Sequence, residues 1–231
     1  MKHNESSQDR SAKIGLFGGT FNPVHHGHLT AARDVQEQLN LDRLYFVPSA
    51  LPPHKSNDPL VPAQQRLEMV RLAVGESNQF CVCDIEIQRT GPSYSIDTVR
   101  QFRANIPAGG QLYFVLGMDA FLEIHTWRTF EALFDEAACA VMSRPGTGQW
   151  TPSMRGYIQD YVASHISSAY RLSDKRDRLT HSRKKTIYLV SVTPVDISSS
   201  RLRAMIQAQQ PIDAWVCPSV ARYIETRGLY R

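Results

Sequence analysis

The most chemically suggestive stretch of this chain is Gly18-Gly19-Thr20-Phe21-Asn22-Pro23-Val24-His25-His26-Gly27-His28. It follows an apolar run, Lys13–Phe17, and precedes residues at helical spacing, so it reads as a strand-to-helix turn. The paired glycines let a ligand approach the backbone more closely than a Cβ would allow. His25 and His28 stand three apart and share a face of the first helical turn. There the imidazoles can donate to phosphate oxygens, and the positive end of the helix dipole adds attraction for an anion. His26 points elsewhere by the same spacing. The turn is neither G-x-G-x-x-G nor a G-K-[ST] phosphate loop. A His-x-x-His pair can also hold zinc, but that reading lacks a nearby third ligand, and no metal site is assigned.

Placing such a turn requires a sheet, and the alternation of patterns supplies one. After the first strand, His28-Leu29, Ala32, Val35 and Leu39 mark a helix, and Arg43–Ser49 a second strand. Pro62 opens a helix with Ala63, Leu67, Val70 and Val74 on one stripe. Phe80–Ile87 is predicted as a strand, and Ile96, Val99, Phe102 and Ile106 mark a helix. Gln111–Gly117 is a strand, Phe130–Asp135 helical, and Ala138–Ser143 a strand. A less regular stretch covers Gly146–Lys185. A last strand, Thr186–Val192, precedes a helix from about Ser199 to Gln209 and a terminal helix ending at Gly228. Short apolar strands separated by helices imply an α/β fold: a Rossmann-like open parallel sheet, helices on both faces, and a helical C-terminal portion. Residues 1–11 are expected to be a disordered arm and 12–231 a single domain.

The 231 residues are 42% hydrophobic, which excludes disordered, collagen-like and disulfide-stapled classes. No apolar run approaches membrane-spanning length, and no membrane association is expected. Four scattered cysteines and a polar N-terminus without a signal-like segment point to reduced thiols and a cytoplasmic address. The net charge of +4 is local. Arg171–Lys185 holds seven Lys/Arg and two Asp, so the remainder carries a net −1.

The chain resembles the HxGH nucleotidyltransferase superfamily and, within it, the bacterial nicotinate-nucleotide adenylyltransferases. The likeness runs from Lys13 to Tyr230. It is carried by GGTFNPVHHGHL, PPHK (Pro52–Lys55), PSYSIDTV (Pro92–Val99), GMD (Gly117–Asp119), Trp127, SRPG (Ser143–Gly146), ISSSRLR (Ile197–Arg203) and VARYIETRGLY. Asn22 stands where many members carry Asp, Ser200 where Thr is usual, and Leu202 where Ile is usual. The resemblance implies transfer of AMP from ATP to nicotinate mononucleotide, giving nicotinate adenine dinucleotide and pyrophosphate. The residues suit that chemistry. An ionised phosphate attacks, so no general base is needed, and catalysis rests on in-line placement and charge stabilisation. Mg²⁺ carried by ATP is the implied cation.

By that likeness His25, His28 and Arg203 hold the phosphates in the transition state. Gly18, Gly19, Thr20 and Phe21, with Ile197, Ser198 and Ser199, form the ATP side. Both serines are also good helix caps. Gly117 and Asp119 end a strand where adenosine or ribose is met, helix capping being the other reading of Asp119. Arg144 also ends a strand, where an unpaired cation meets ligand more often than core. On the mononucleotide side, Lys55 and His54 face the phosphate, although exposed lysines are commonplace. Trp127 either stacks on the pyridine ring or packs in the core. Tyr94 and Ser95 begin a helix whose free N–H groups can take a carboxylate. The rivals are another acceptor, nicotinamide mononucleotide first, or a nucleic-acid-binding protein using Arg171–Lys185. For that segment a solvated run in which Asp174 and Asp177 pair locally is favoured over nucleic acid. A homo-oligomeric state is left open.

Overall fold

A computed structural model of the protein describes residues 12–52, 60–75, 77, 79–144 and 148–231. The expected disordered arm lies outside the described residues. In chain order the elements are β1 (Lys13–Gly19), α1 (His26–Leu39), β2 (Arg43–Pro48), α2 (Ala63–Val74), β3 (Phe80–Val82), α3 (Ile85–Gln88) and α4 (Ser95–Asn105). Then come β4 (Gln111–Gly117), α5 (Met118–Leu122), a 3₁₀ turn (Ile124–Thr126), α6 (Phe130–Glu136) and β5 (Ala138–Met142). The rest is α7 (Pro152–His165), β6 (Arg171–Leu172), β7 (Arg178–Thr180), β8 (Ile187–Val190), α8 (Ser199–Gln207) and α9 (Pro218–Thr226).

These strands form one sheet in the order β3-β2-β1-β4-β5-β8-β7-β6. Pairing is parallel from β3 through β8. Successive strand residues point to opposite faces, and here both faces are covered. Leu16, Phe114, Leu116, Val141 and Leu189 meet Ile96 and Val99 of α4, Leu133 and Phe134 of α6, and Ile158 and Val162 of α7. Their neighbours Phe17, Tyr113, Val115, Ala140 and Val190 meet Val35 of α1, Val70 of α2, Leu202 of α8 and Val220 of α9. Burial of each large apolar side chain contributes about 1.5–3 kcal/mol, which is why the strands read as unbroken apolar runs. The expected α/β class, with its helical C-terminal portion, is what the chain forms.

Three features depart from the sequence reading. Phe80–Ile87 is not one strand. β3 ends at Val82, and the Ile87 and Gln88 amides both donate to the Asp84 carbonyl, which starts α3. The stretch Gly146–Lys185 is more regular than expected. Thr151 caps α7 by accepting the Met154 amide at 3.2 Å, Pro152 occupies its first turn, and Ile158, Tyr161 and Val162 are buried. Last, the basic segment folds into the β6–β7 hairpin, which joins β8 antiparallel, so the sheet is not wholly parallel. Asp177 pairs with Arg178 at 3.1 Å as expected, whereas Lys184 reaches Asp135 at 2.8 Å and Asp174 forms no ion pair among the described residues.

From β1 the chain winds outward to β2 and β3, then returns to β4 on the other side of β1 and continues to β5 and β8. The carboxyl ends of β1 and β4 therefore flank the point where strand order reverses, the usual crevice for a ligand in open α/β sheets.

Candidate active site

Two cavities open at this crevice. One, of about 380 Å³, is lined by His25, Gly27, His28, Met142, Ser143, Ile197, Ser198, Ser199 and Arg203 among others. The second, of about 300 Å³, is lined by Gly18, Gly19, Ser49, Glu86, Tyr94, Ser95, Trp127 and Arg128 among others. Phe17, Thr20 and Gly117 line both. The two cavities meet at the ends of β1 and β4.

The turn after β1 is held by packing. A Cβ on Gly19 would lie 2.8 Å from the Phe21 ring, too close for any other residue. Phe21 itself takes a left-handed φ of 49°, and its buried ring packs against Phe17 and Phe46. Its side chain is a core anchor, and the turn presents backbone to the cavity.

His25 caps α1 in an extended conformation and is 7% exposed. Its amide donates to His28 Nδ1 at 3.3 Å, so that nitrogen is the acceptor and Nε2 carries the proton of the His28 ring. The two rings lie 3.8 Å apart, centre to centre, at 30°. Gly27 leaves room beside them: a Cβ there would sit 3.0 Å from His25 Nδ1 and press the ring aside. Burial, with a smaller contribution from His26, pushes the His25 pKa down to about 4, so its ring is neutral at pH 7. His25 Nδ1 is buried and faces the His28 amide in capping-box geometry, short of a full hydrogen bond.

The C-terminal portion closes this cavity. Ser198 caps α8 by accepting the Arg201 amide at 3.1 Å, and Ser199 Oγ donates to the Pro23 carbonyl at 2.9 Å. Ser198 thus has the capping role read for both serines, whereas Ser199, the first residue of α8, ties the helix to the turn instead. Arg203 donates to the Asn22 carbonyl at 3.0 Å while lining the cavity. Asn22 Oδ1 accepts from Tyr230 Oη at 2.9 Å and from the Val61 amide at 3.3 Å. Behind the turn, Arg66 is 1% exposed and donates to the carbonyls of Thr20 (2.7 Å), Val61 (2.9 Å) and Ala50 (3.1 Å). A single buried guanidinium thus ties the turn after β1 to the chain at Ala50 and at Val61. His54 and Lys55 lie outside the described residues.

The second cavity is built from side chains. Trp127 is half-buried, edge-on to Phe114 at 6.2 Å. Tyr94 is the N-cap of α4 and Ser95 its first residue, as expected. The Arg128 guanidinium lies 4.6 Å over the Tyr94 ring. Glu86 is 7% exposed and accepts from Thr98 Oγ1 at 2.6 Å, and burial pushes its carboxyl pKa up. Ser49 Oγ is buried and meets no partner among the described residues. Gly18 and Gly19 border this cavity and not the first. Asp119 and Arg144 line neither. They form an exposed ion pair at 2.9 Å, so Arg144 is not the unpaired cation its position suggested.

Arg66, Glu86, Arg128 and Ser49 were not singled out from sequence. Arg66 had a signal, standing three residues after Ala63 and four before Val70 on the apolar stripe of α2. The others had none. Among the described residues no three His, Cys, Asp or Glu side chains gather to hold a metal ion, and no helix is long and apolar enough to cross a membrane.

Comparison with known proteins agrees with this geometry. A family profile described as cytidylyltransferase-like matches residues 16–205. A protein of Aeromonas salmonicida, named "Probable nicotinate-nucleotide adenylyltransferase", is 38% identical over 95% of this chain and 98% of its own. One of Geobacter metallireducens, with the same name, is 36% identical over 94% and 98%. The solved structure of Plasmodium falciparum nicotinic acid mononucleotide adenylyltransferase complexed with NaAD has the same fold, with a TM-score of 0.69 at 18% identity over 95% of this chain and 97% of that one. With its HxGH turn at the switch point of the sheet, the chain belongs to the cytidylyltransferase-like family and, within it, to the nicotinate-nucleotide adenylyltransferases.

Proposed function

We propose that the protein transfers AMP from ATP to the 5′-phosphate of nicotinate mononucleotide, releasing pyrophosphate and forming nicotinate adenine dinucleotide. The observation that carries this reading is the junction of the two cavities at Thr20 and Gly117, with paired histidines on one side and an aromatic-lined pocket on the other. A reaction joining two nucleotides needs this layout: each is held by its own wall, and the reacting phosphates meet between them.

In this reading ATP occupies the first cavity. The mononucleotide phosphate attacks the α-phosphorus directly, and the bond to the β-phosphate oxygen breaks in line. His28 donates from Nε2 to the phosphates, and neutral His25 stands beside it as a second hydrogen-bonding ring, largely buried, where a hydrogen bond is stronger than in bulk solvent. Arg203 supplies the full positive charge, its guanidinium aimed by the Asn22 carbonyl. Thr20, Phe21, Ile197, Ser198 and Ser199 shape the ATP wall, and Gly117 gives passage between the halves. Asp119 and Arg144 act at the rim toward adenosine. Gly18 and Gly19 present backbone from the mononucleotide side, where Trp127 stacks on the pyridine ring and the α4 N-terminus at Tyr94 and Ser95 faces its carboxylate. Lys55 and His54 are assigned to the mononucleotide phosphate. A divalent cation carried by the triphosphate, Mg²⁺ in this reading, would supply charge screening between the two polyanions. We take residues 12–231 as one nucleotidyltransferase domain, acting in the cytoplasm, where its four free thiols stay reduced.

Pyrophosphate release from ATP tests this, with nicotinate and nicotinamide mononucleotides as alternative acceptors. Release with the nicotinate form is expected. Activity only with the amide would overturn the acceptor, and activity with neither would overturn the reaction.

A further inference from the structure

Acid and amide forms of a pyridine mononucleotide differ at one group of nearly equal size, an anionic carboxylate against a neutral carboxamide. Shape separates them poorly, so selection has to come from charge and hydrogen-bond polarity. The second cavity contains two carboxyl groups on its wall, Glu86 and Glu123. A carboxylate is an acceptor only, so these two groups alone would suit the amide, which can donate to them. The α4 N-terminus offers only partial positive charge against them. Among the described lining residues there is a single full cation, Arg128.

Its surroundings leave that cation available. Arg128 is exposed, and no carboxylate of a described residue lies within 4.0 Å of it. It rests on the face of Tyr94, the residue that caps α4. An exposed cation–π contact is a weaker hold than a two-pronged guanidinium–carboxylate pair. Arg128 also follows Trp127 directly, so the group that stacks on the ring and the group that would meet the ring's substituent sit on one short stretch of backbone. We propose that Arg128 selects the acid: its guanidinium leaves the Tyr94 face and forks onto the pyridine carboxylate, reversing the preference that Glu86 and Glu123 would otherwise impose. Glu86 is compatible with this. Its carboxyl is buried and already accepts from Thr98 Oγ1 at 2.6 Å, so that oxygen is engaged within the wall rather than turned on the incoming anion.

The inference rests on the proposed adenylyl transfer. Its test compares wild type, Arg128→Met and Arg128→Lys in steady-state assays with both mononucleotides at saturating ATP, and, with Trp150→Phe and Trp215→Phe added so that Trp127 is the reporter, in fluorescence titrations that need no turnover. The acid-over-amide ratio of kcat/KM is expected to fall about 10- to 100-fold in Arg128→Met, the loss typical of a charge-assisted pair. Most of that fall should appear in the KM for the acid. Arg128→Lys keeps the charge without the fork and should fall between the two; it also serves as the readout should the Met variant melt early. An unchanged ratio in both variants, or equal losses with acid and amide, would overturn the assignment and leave Arg128 a general wall residue. A wild type that turns over neither mononucleotide would instead sink the underlying reaction. In that case, acid-selective quenching of Trp127 that disappears in Arg128→Met would still support the role of Arg128, and non-selective quenching would refute it.

Discussion

The two cavities are made by different means. The phosphate cavity is fixed by backbone: His25 is a helix cap, His28 takes a hydrogen bond from the His25 amide, Ser198 caps α8, and Arg203 is aimed by a carbonyl. The pyridine cavity is lined largely by side-chain faces near short connecting segments: Trp127 lies edge-on to Phe114, and the exposed Arg128 rests on the Tyr94 ring. The difference suggests a division of labour. Groups that stabilise transition-state charge must be preorganised, because reorganisation at the moment of reaction would consume the gain. Groups that choose between substrates can adapt.

This contrast can be broken from either side. The largest effect should come from the histidines. His28→Ala or His25→Ala is expected to lower kcat by about 100- to 1,000-fold, as loss of a preorganised donor does, with a much smaller change in ATP affinity. Near-normal turnover would end their catalytic assignment.

Arg66 tests whether the rigidity matters. Arg66→Met leaves three partly buried carbonyls without their donor and should cost on the order of 3 kcal/mol of stability, read by urea unfolding. Turnover measured well below the melting point should fall as well, since Thr20 loses its anchor. Stability loss with intact turnover would detach the staple from the site.

A comparable energy is expected from pH. The His25 pKa is about 4 in the folded protein against an ordinary 6.5, so between those values the unfolded chain binds a proton that the folded chain excludes. The contribution is fully present above about pH 6.5 and is lost as pH falls toward 4, by on the order of 3 kcal/mol. Unfolding curves of wild type and His25→Gln across that range should converge toward low pH. Parallel curves would show that His25 is not held neutral.

The smallest effect lies on the adaptable side. Trp127→Ala should raise the mononucleotide KM about tenfold through lost stacking, with kcat nearly retained. A change in melting temperature alone would return Trp127 to a packing role.

The contrast also explains what could be read from sequence. The phosphate cavity was legible because its geometry is local: the His25–His28 spacing and the Ser198 cap each act within one turn of chain, whereas Gly18 and Gly19, read with them, border the other cavity. Strands and helices were legible wherever both faces of the sheet are apolar. The 146–185 stretch was misjudged although Thr151-Pro152 is an N-terminal helix signal, because the buried positions of α7 are fewer and diluted by polar residues. Arg66, Glu86 and Arg128 were missed for a different reason. Their partners lie on other elements, as Arg66 does with Thr20 and Arg128 with Tyr94, and residue type alone marks a charged side chain as solvated.

The central claim is that the α-phosphorus of ATP moves directly onto the mononucleotide phosphate. It is tested most directly by incubating the protein with ATP labelled at the α-phosphate and nicotinate mononucleotide, then separating the products. The prediction is label in nicotinate adenine dinucleotide, matched mole for mole by unlabelled pyrophosphate, with none on the protein. Label released only as AMP, or held covalently on the chain, would contradict it.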